Sequence, residues 1–189
     1  MEIELNKYVN SNTLDLNNLH IHMEKLINFL QENSNITSLI LHNCYIDAEG
    51  AGVLNETLNN VIAPNLTECK VTSSIIGDQG SIAITKLLEN GNFPNLVKLD
   101  LISNDISPDG GMEFINALKN GSFSNITEFN LLSDSICDKA IVALQESLNN
   151  NKLPNLVQFN FPFNPKSNES IETSSEHLFT DSCNSLDLI

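Results

Sequence analysis

The stretch Asn95-Leu-Val-Lys-Leu-Asp-Leu101 decides the fold, because its pattern recurs along the chain at intervals of thirty residues. Self-similarity at a fixed period of about 20–50 residues is typical of a chain built by stacking one supersecondary unit. In each copy a leucine or isoleucine follows the asparagine, and the fourth and sixth residues after it are apolar. The other copies are Asn35-Ile-Thr-Ser-Leu-Ile-Leu41, Asn65-Leu-Thr-Glu-Cys-Lys-Val71, Asn125-Ile-Thr-Glu-Phe-Asn-Leu131 and Asn155-Leu-Val-Gln-Phe-Asn-Phe161.

Each unit reads as a strand followed by a helix. Numbered from the residue after the asparagine, the alternating apolar positions 4 and 6 predict a short strand with one buried face. Gly50, Gly80 and Gly110 share one place and predict a turn, and prolines 64, 94 and 154 stop a helix before the next unit. Consecutive strands should therefore pair in parallel through right-handed crossovers. The helix-spaced apolar pairs are Leu54 and Leu58, Ile84 and Leu88, Phe114 and Leu118, and Leu144 and Leu148.

Positions 9 and 11 complete a known pattern. Position 11 is isoleucine in the first four units, and position 9 holds Cys44, Ser74, Asn104, Asp134 and Asn164. The chain thus reads L-x-x-L-x-L-x-x-N/C-x-L and resembles the leucine-rich repeat family, with a unit length and a helical half similar to its ribonuclease-inhibitor-like subclass. The asparagine or aspartate at position 9 is expected to bond the backbone locally as the strand ends, so Ser74 and Cys44 should hold their turns less tightly.

The resemblance implies an α/β leucine-rich-repeat solenoid, a right-handed β-α superhelix that forms a horseshoe segment with a concave parallel sheet and outer helices. Strands lie about 4.8 Å apart and packed helices about 8–10 Å apart, so such a stack must bend with its strands inside. Three parts are predicted. Residues 1–34 form an N-terminal cap or degenerate first repeat, with Leu14-Asp-Leu16 as strand and 25–30 as helix. Residues 35–164 form the array, and the polar residues 165–189 form a cap or tail, in part disordered, or an export signal.

Charge and composition narrow the function classes. The net charge of −15 repels phosphate backbones, so we expect no nucleic-acid partner. No apolar stretch is long enough to span a membrane, and the first residues lack the pattern of a secretory signal. The four cysteines show no CxxC spacing, which favours a reduced, cytoplasmic setting. We expect the chain to be a monomer on its own.

Residues that carry chemistry are few. All nine cationic residues are lysines, so the chain supplies no arginine finger in cis. His20 and His22 lack further ligands and are interpreted as solvated turn residues. Glu68 and Glu128 recur at position 3, and a solvated sheet face explains them better than acid–base chemistry. Cys137 and Cys183 are the candidate exposed thiols, but no partnering base is identifiable. The sequence therefore predicts no enzyme, no cofactor and no metal site.

The outward positions 3, 5 and 7, with position 10 beyond them, carry a mixture of apolar and charged residues. Exposed apolar residues among charges are typical of protein contact sites. We expect a protein partner, a host protein or another bacterial protein, to bind this concave face. The predicted binding residues are Ile40, His42, Tyr45, Lys70, Ile75, Lys98, Asp100, Ile102, Asp105, Glu128, Asn130, Leu132 and Phe163.

The short acidic chain also resembles leucine-rich-repeat effectors of intracellular bacterial pathogens. Residues 172–176 and 186–189 are similar to the hydroxyl- and glutamate-rich tails of type IV export signals, which implies delivery into a host cytosol. A non-enzymatic binding module that inhibits its partner is the leading hypothesis. The alternatives are a structural or scaffold fragment of a longer array, and a regulator with enzymatic or GTPase-activating activity.

Overall fold

The thirty-residue period becomes the register of a sheet. A computed structural model describes residues 4–46, 63–131 and 146–160. Ser38 pairs with Glu68, Glu68 with Lys98, Lys98 with Glu128 and Glu128 with Gln158, always in parallel and one period apart. The strands are β4 (Ser38–His42), β6 (Glu68–Thr72), β7 (Lys98–Asp100), β8 (Glu128–Asn130) and β9 (Gln158–Asn160). Parallel pairing of consecutive units is confirmed across the described residues.

The N-terminal residues extend this sheet at a shorter spacing. After a 3-10 turn (Leu5–Tyr8) come β1 (Val9–Asn10), β2 (Thr13–Asn17) and β3 (His20–Ile21). β2 pairs in parallel with β4 at an offset of 25 residues, Thr13 opposite Ser38, and β1 pairs antiparallel with β2. The seven-stranded sheet has the order β1-β2-β4-β6-β7-β8-β9, and β3 forms a separate two-stranded ladder with β5 (Tyr45–Ile46). The fold is α/β with an open, mixed and mostly parallel sheet.

Three described helices follow their strands, as the apolar spacing predicts. They are α1 (Met23–Glu32), α2 (Gly77–Glu89) and α3 (Pro108–Asn120), and residues 146–149 are also helical. Ile84, Leu88 and Phe114 are buried from α2 and α3, so their predicted inward direction is confirmed. Leu54, Leu58 and Leu144 lie outside the described residues. No helix in the described ranges is long and apolar enough to cross a membrane.

The core forms where strand positions 4 and 6 meet the helices. Leu39, Leu41, Leu99 and Leu101 are each less than 5% exposed, as the alternation predicts. Three aromatic rings fill the far end of this core, and their centroids lie 5.2–6.1 Å apart. They belong to Phe114, Phe123 and Phe129, each of which is at most 1% exposed. Burial of such side chains supplies the dominant favourable term in folding.

The repeated asparagine has a structural reason that the sequence does not reveal. Its side-chain Nδ2 donates to a backbone carbonyl of the preceding unit, 31 residues earlier. The carbonyl belongs to the residue just before the preceding unit's own asparagine, so these bonds join each unit to the one before it. The four pairs, at 2.7–3.0 Å, are Asn65 with Ser34, Asn95 with Pro64, Asn125 with Pro94, and Asn155 with Ser124.

The helix ends differ from the sequence expectation. α2 ends before Gly91, whose φ of 69° lets Asn92 N–H donate to the Leu87 carbonyl at 3.0 Å. After α3, Gly121 has φ of 82°, and Ser122 N–H donates to the Ala117 carbonyl at 3.0 Å. A left-handed residue after the last turn ends a helix by satisfying its free carbonyls. Pro94 therefore lies beyond a helix that has already ended.

The predicted glycine turn is wrong for two of its residues. Gly80 and Gly110 lie inside the first turns of α2 and α3, where glycine normally costs about 1 kcal/mol relative to alanine. A Cβ on Gly110 would overlap Asp78, which accepts hydrogen bonds from Ser107 N–H at 2.8 Å and Ser107 Oγ at 2.6 Å. Close approach of neighbouring helices, rather than a turn, requires glycine there.

Candidate functional site

One face of the sheet is left open by the described elements. The described helices cover the face that carries positions 4 and 6, since Leu26, Ile84 and Leu87 line the same apolar space as Leu41 and Val71. Positions 3, 5 and 7 alternate with the buried positions, and they are half-buried or exposed at every residue of this set whose burial is described. Buried and less buried residues alternate along β2, β4 and β6, which indicates a sheet with one covered side. We call the other side the open face.

Lysines and glutamates alternate across the open face. Lys98 Nζ lies 2.7 Å from Glu128 Oε1 on the next strand, and Lys70 Nζ lies 3.0 Å from Glu68 Oε1 on its own strand. Ser38 Oγ donates to Glu68 Oε2 at 3.0 Å from the strand on the other side. Both lysines are therefore engaged by carboxylates, and the face is tied together laterally.

These pairs set the ionisation of the face. The hydrogen bond from Lys70 is the largest influence that lowers the pKa of Glu68, with further help from Ser38 and the charge of Lys98. The bond to Glu128 raises the pKa of Lys98. Glu68 and Glu128 share one strand position with Lys98 between them. A general acid needs a raised carboxyl pKa, and the opposite shift at Glu68 leaves a stable carboxylate.

The aspartates of the open face meet amides rather than cations. Asp100 Oδ2 accepts from Asn130 Nδ2 at 3.3 Å, and its Oδ1 accepts from Ile102 N–H at 3.2 Å. Asp15 Oδ1 accepts from Asn17 Nδ2 at 2.6 Å. Among the described residues neither carboxylate is joined to a lysine in a salt bridge. The open face consequently keeps an excess of negative charge.

A row of exposed residues follows the carboxyl ends of the strands at position 10. The row consists of His20, Tyr45, Ile75 and Asp105, and all four are exposed. Tyr45 is 59% and Ile75 61% exposed, unusually open for large apolar side chains. His20 lies opposite Tyr45 in the β3–β5 ladder, and the two rings meet edge to face with centroids 4.8 Å apart. We call these four residues the position-10 row.

The backbone of this row is unusual. Ile75 has φ of 48° and Asp105 has φ of 53°. Aspartate tolerates the left-handed region, but a β-branched residue there is a genuine outlier. Position 8 is left-handed as well, with Asn18, Asn43, Ser73 and Ser103, and these small polar residues suit it. Only at Ile75 does this edge place a β-branched side chain in a strained conformation among the described residues.

Buried side chains at position 9 form hydrogen bonds between neighbouring units, directly before the residues of the position-10 row. Asn104 Oδ1 accepts from Ser74 N–H at 2.9 Å, and Ser74 Oγ accepts from Cys44 N–H at 3.1 Å. Asn104 also donates to the Val71 carbonyl of the preceding unit and to its own Ile102 carbonyl. The expected local bond is therefore present, and a bond between units is added. Whether Ser74 and Cys44 hold their turns less tightly stays a prediction.

Most of the predicted binding residues come together at this face and its carboxyl edge. Tyr45, Ile75 and Asp105 form part of the position-10 row, and His42 bonds Thr72 at 3.0 Å on the open face. Ile40 and Ile102 are half-buried, whereas Tyr45 and Ile75 are exposed, so the most exposed described side chains of the predicted apolar track lie at the carboxyl edge. Leu132 and Phe163 lie outside the described residues. Lys70, Lys98, Asp100, Glu128 and Asn130 lie on strands of the open face.

His20 is the member of the row that sequence reasoning missed. It lies in β3 rather than in a turn, and its ring also stacks near His22 with centroids 5.3 Å apart. The signal is the offset of 25 residues that relates β2 to β4, because the same offset relates His20 to Tyr45. Counting the first unit at thirty residues hides this equivalence.

Among the described residues, the cysteine and acidic side chains form neither a reactive thiol nor a metal-binding group. Burial raises the pKa of Cys69 to about 12, and the Cys44 pKa is also raised by burial. Both thiols are buried and uncharged at neutral pH. Within residues 4–46, 63–131 and 146–160, no group of three or more His, Cys, Asp or Glu side chains is placed to hold a metal ion. Cys137 and Cys183 lie outside those ranges.

Comparison of the sequence with known families and curated proteins gives no match. No protein-family model matches the chain, and no curated protein matches it at a significant level.

Proposed function

We propose that this chain is a non-enzymatic protein-binding module, built as a leucine-rich-repeat solenoid, that holds a protein partner against its open face. In this proposal the sheet forms the concave side of a horseshoe segment and the helices form its outside. The partner is a host protein or another bacterial protein, and binding occludes the partner's own working surface. The chain itself acts as an effector in a cytosol.

The observation that carries the proposal is a parallel sheet with one side uncovered by any described element. Parallel sheets are normally covered on both faces, because their crossover helices distribute to both sides. Here the helices take the side of Leu39 and Leu41, whereas Lys98 is exposed and Lys70 half-exposed on the other side. A sheet side that stays accessible is available to a second protein.

The periodic register supports the repeat architecture within the same proposal. Equal offsets from β4 to β9 mean that each unit contributes one strand at one position. The asparagine bonds repeat with the same period. Stacked units of this kind make an extended, preformed surface, and a surface that needs little ordering loses little free energy on binding.

A capture experiment tests the proposal. Partners are captured from cytosolic extract with the full chain and with an Ile40→Glu, Ile102→Glu variant, whose added charges lie on the open face. Val157→Glu is the matched control, because Val157 is 67% exposed and precedes β9 at the opposite ends of the strands. We expect the double variant to lose the partner and the control to keep it, with unchanged thermal unfolding in both. Equal capture by all three proteins would refute the open face as the binding surface.

A further inference from the structure

We propose that the position-10 row recognises an arginine side chain flanked by apolar residues on the protein partner. This inference deepens the proposed function, on which it rests, by naming the chemistry of the contact. It places the strongest contact at the carboxyl edge of the sheet rather than at its centre.

The row combines three surfaces that suit a guanidinium group. Tyr45 offers a large exposed aromatic ring, and its edge-to-face contact with His20 fixes the ring in place. Ile75 offers an aliphatic surface for the arginine stem, and Asp105 offers an exposed carboxylate. The bonds that join Cys44 to Ser74 and Ser74 to Asn104 keep the next residues, Tyr45, Ile75 and Asp105, on successive units of the stack. The strands of these units lie about 4.8 Å apart, so one long side chain can reach from one unit to the next.

The negative charge around the position-10 row favours a cationic group on the partner. Lys70 and Lys98 are engaged by Glu68 and Glu128, whereas Asp105 forms no salt bridge with any described residue. Asp100 and Asp15 add negative charge on the adjoining open face, and the whole chain carries a net charge of −15. A basic partner is therefore attracted toward this edge.

Arginine fits better than lysine because its planar guanidinium stacks on an aromatic ring while donating to a carboxylate. Lysine presents a compact and strongly hydrated charge, which gains less from the exposed ring of Tyr45. The chain has no arginine of its own, so no internal guanidinium competes for the row.

The backbone supports a binding role for Ile75 in particular. A β-branched side chain at φ of 48° and 61% exposure stabilises neither the local backbone nor the core. Strained residues held by a well-bonded frame concentrate at functional sites, and the bonds from Ser74 and Asn104 supply that frame.

The test is a titration of the full chain, followed by backbone-amide NMR, with the peptide N-acetyl-Phe-Arg-Phe-amide. The control peptide replaces arginine with citrulline, a neutral isostere of the same shape. We expect saturable shifts at His20, Tyr45, Ile75 and Asp105, and binding of the citrulline peptide weaker by about threefold or more. Asp105→Asn should weaken arginine-peptide binding by about threefold and reduce the preference over citrulline to the part that the Tyr45 ring supplies. Tyr45→Ala should weaken both peptides, while unchanged amide shifts elsewhere report an intact fold.

Equal binding of the two peptides, or shifts that bypass the row, would overturn the arginine assignment. This failure is distinct from failure of the proposed function, because the titration requires no natural partner. Loss of capture by the Ile40→Glu, Ile102→Glu variant together with equal peptide binding would keep the open face and remove only the arginine site.

Discussion

Asn104 and Ser74 are joined across two units by a buried hydrogen bond, in which Asn104 Oδ1 accepts from Ser74 N–H at 2.9 Å. Asn104 is 1% exposed and Ser74 is not exposed at all. Ser74 Oγ in turn accepts from Cys44 N–H, so position 9 forms a chain of bonds that runs perpendicular to the strands. These hydrogen bonds fix the backbone next to Tyr45, Ile75 and Asp105 of the position-10 row.

We predict that Asn104→Ala lowers the free energy of unfolding by about 1–3 kcal/mol, because it leaves the Ser74 N–H and the Val71 carbonyl buried without partners. Urea denaturation measures the change. Asn17→Ala is the matched control, since it removes an exposed asparagine side chain that bonds Asp15 at 2.6 Å on the open face, and it should cost about 0.5 kcal/mol or less. Equal losses in the two variants would argue against the chain of bonds at position 9.

We predict that Ile75→Asn raises the free energy of unfolding by about 1 kcal/mol, because asparagine tolerates the left-handed backbone that strains isoleucine. Little buried area is lost, since Ile75 is 61% exposed. Tyr45→Asn removes a similarly exposed side chain where φ is not positive, and should not stabilise the fold. The same urea measurement applies, and a destabilised Ile75→Asn protein would mean that Ile75 packs in the fold.

The Glu68 carboxylate should make stability depend on pH at the acidic end. Its pKa is lowered in the fold from 4.5, so its stabilising effect is present above pH 4.5 and is lost as pH falls through the lower folded value. Glu68→Gln should cost about 0.5–1 kcal/mol at neutral pH and nothing once Glu68 is protonated.

Thermal unfolding from pH 7 down to pH 2–3 measures this difference, at about four or five points that bracket the titration. In a Lys70→Met background the effect of Glu68→Gln should shrink, because the Lys70 bond is the largest cause of the lowered pKa. A difference that stays constant with pH would show that the lysine pair does not stabilise the fold.

Cys69 should resist thiol reagents in the folded protein. Burial raises its pKa to about 12 from 9.0, so its thiol remains protonated at pH 8. The pH dependence from Cys69 is opposite to that from Glu68. The contribution of the protonated Cys69 thiol to the free energy of unfolding is fully present below pH 9.0 and is lost as pH rises toward about 12.

Peptide mapping after alkylation at about pH 8, which lies below the ordinary cysteine pKa, checks this prediction. A Cys137→Ser, Cys183→Ser variant removes the other candidate thiols, and the same variant in urea supplies the fully reactive reference. Native labelling of Cys69 at the unfolded rate would place that side chain outside the core.

The sequence predicts the strands well, because burial on one side imposes a period of two that survives in positions 4 and 6. It also predicts their parallel order, since one spacing relates four successive strand pairs. The role of the leading asparagine could not be predicted, because Asn95 bonds a carbonyl 31 residues away whose proximity exists only after the units stack.

The shared strand position of the position-10 row could be predicted from the sequence, but its backbone conformation and its fourth member could not. Tyr45, Ile75 and Asp105 follow from their shared position, but the left-handed backbone of Ile75 contradicts ordinary β-branched preferences and leaves no sequence signal. The place of His20 in the row could not be predicted, because the first unit is 25 residues long and the period of the other units is thirty. The sequence pattern predicts a turn at Gly110, because the contact of Gly110 with Asp78 depends on how two helices pack and leaves no local signal.

Photo-crosslinking to the captured partner tests the central claim most directly. The photoreactive residue p-benzoylphenylalanine replaces Thr72, which lies on the open face in β6, or Glu113, which is exposed on α3. The account predicts a covalent adduct with the partner from position 72 and none from position 113. An adduct from position 113 alone would place the partner on the helices and contradict the account.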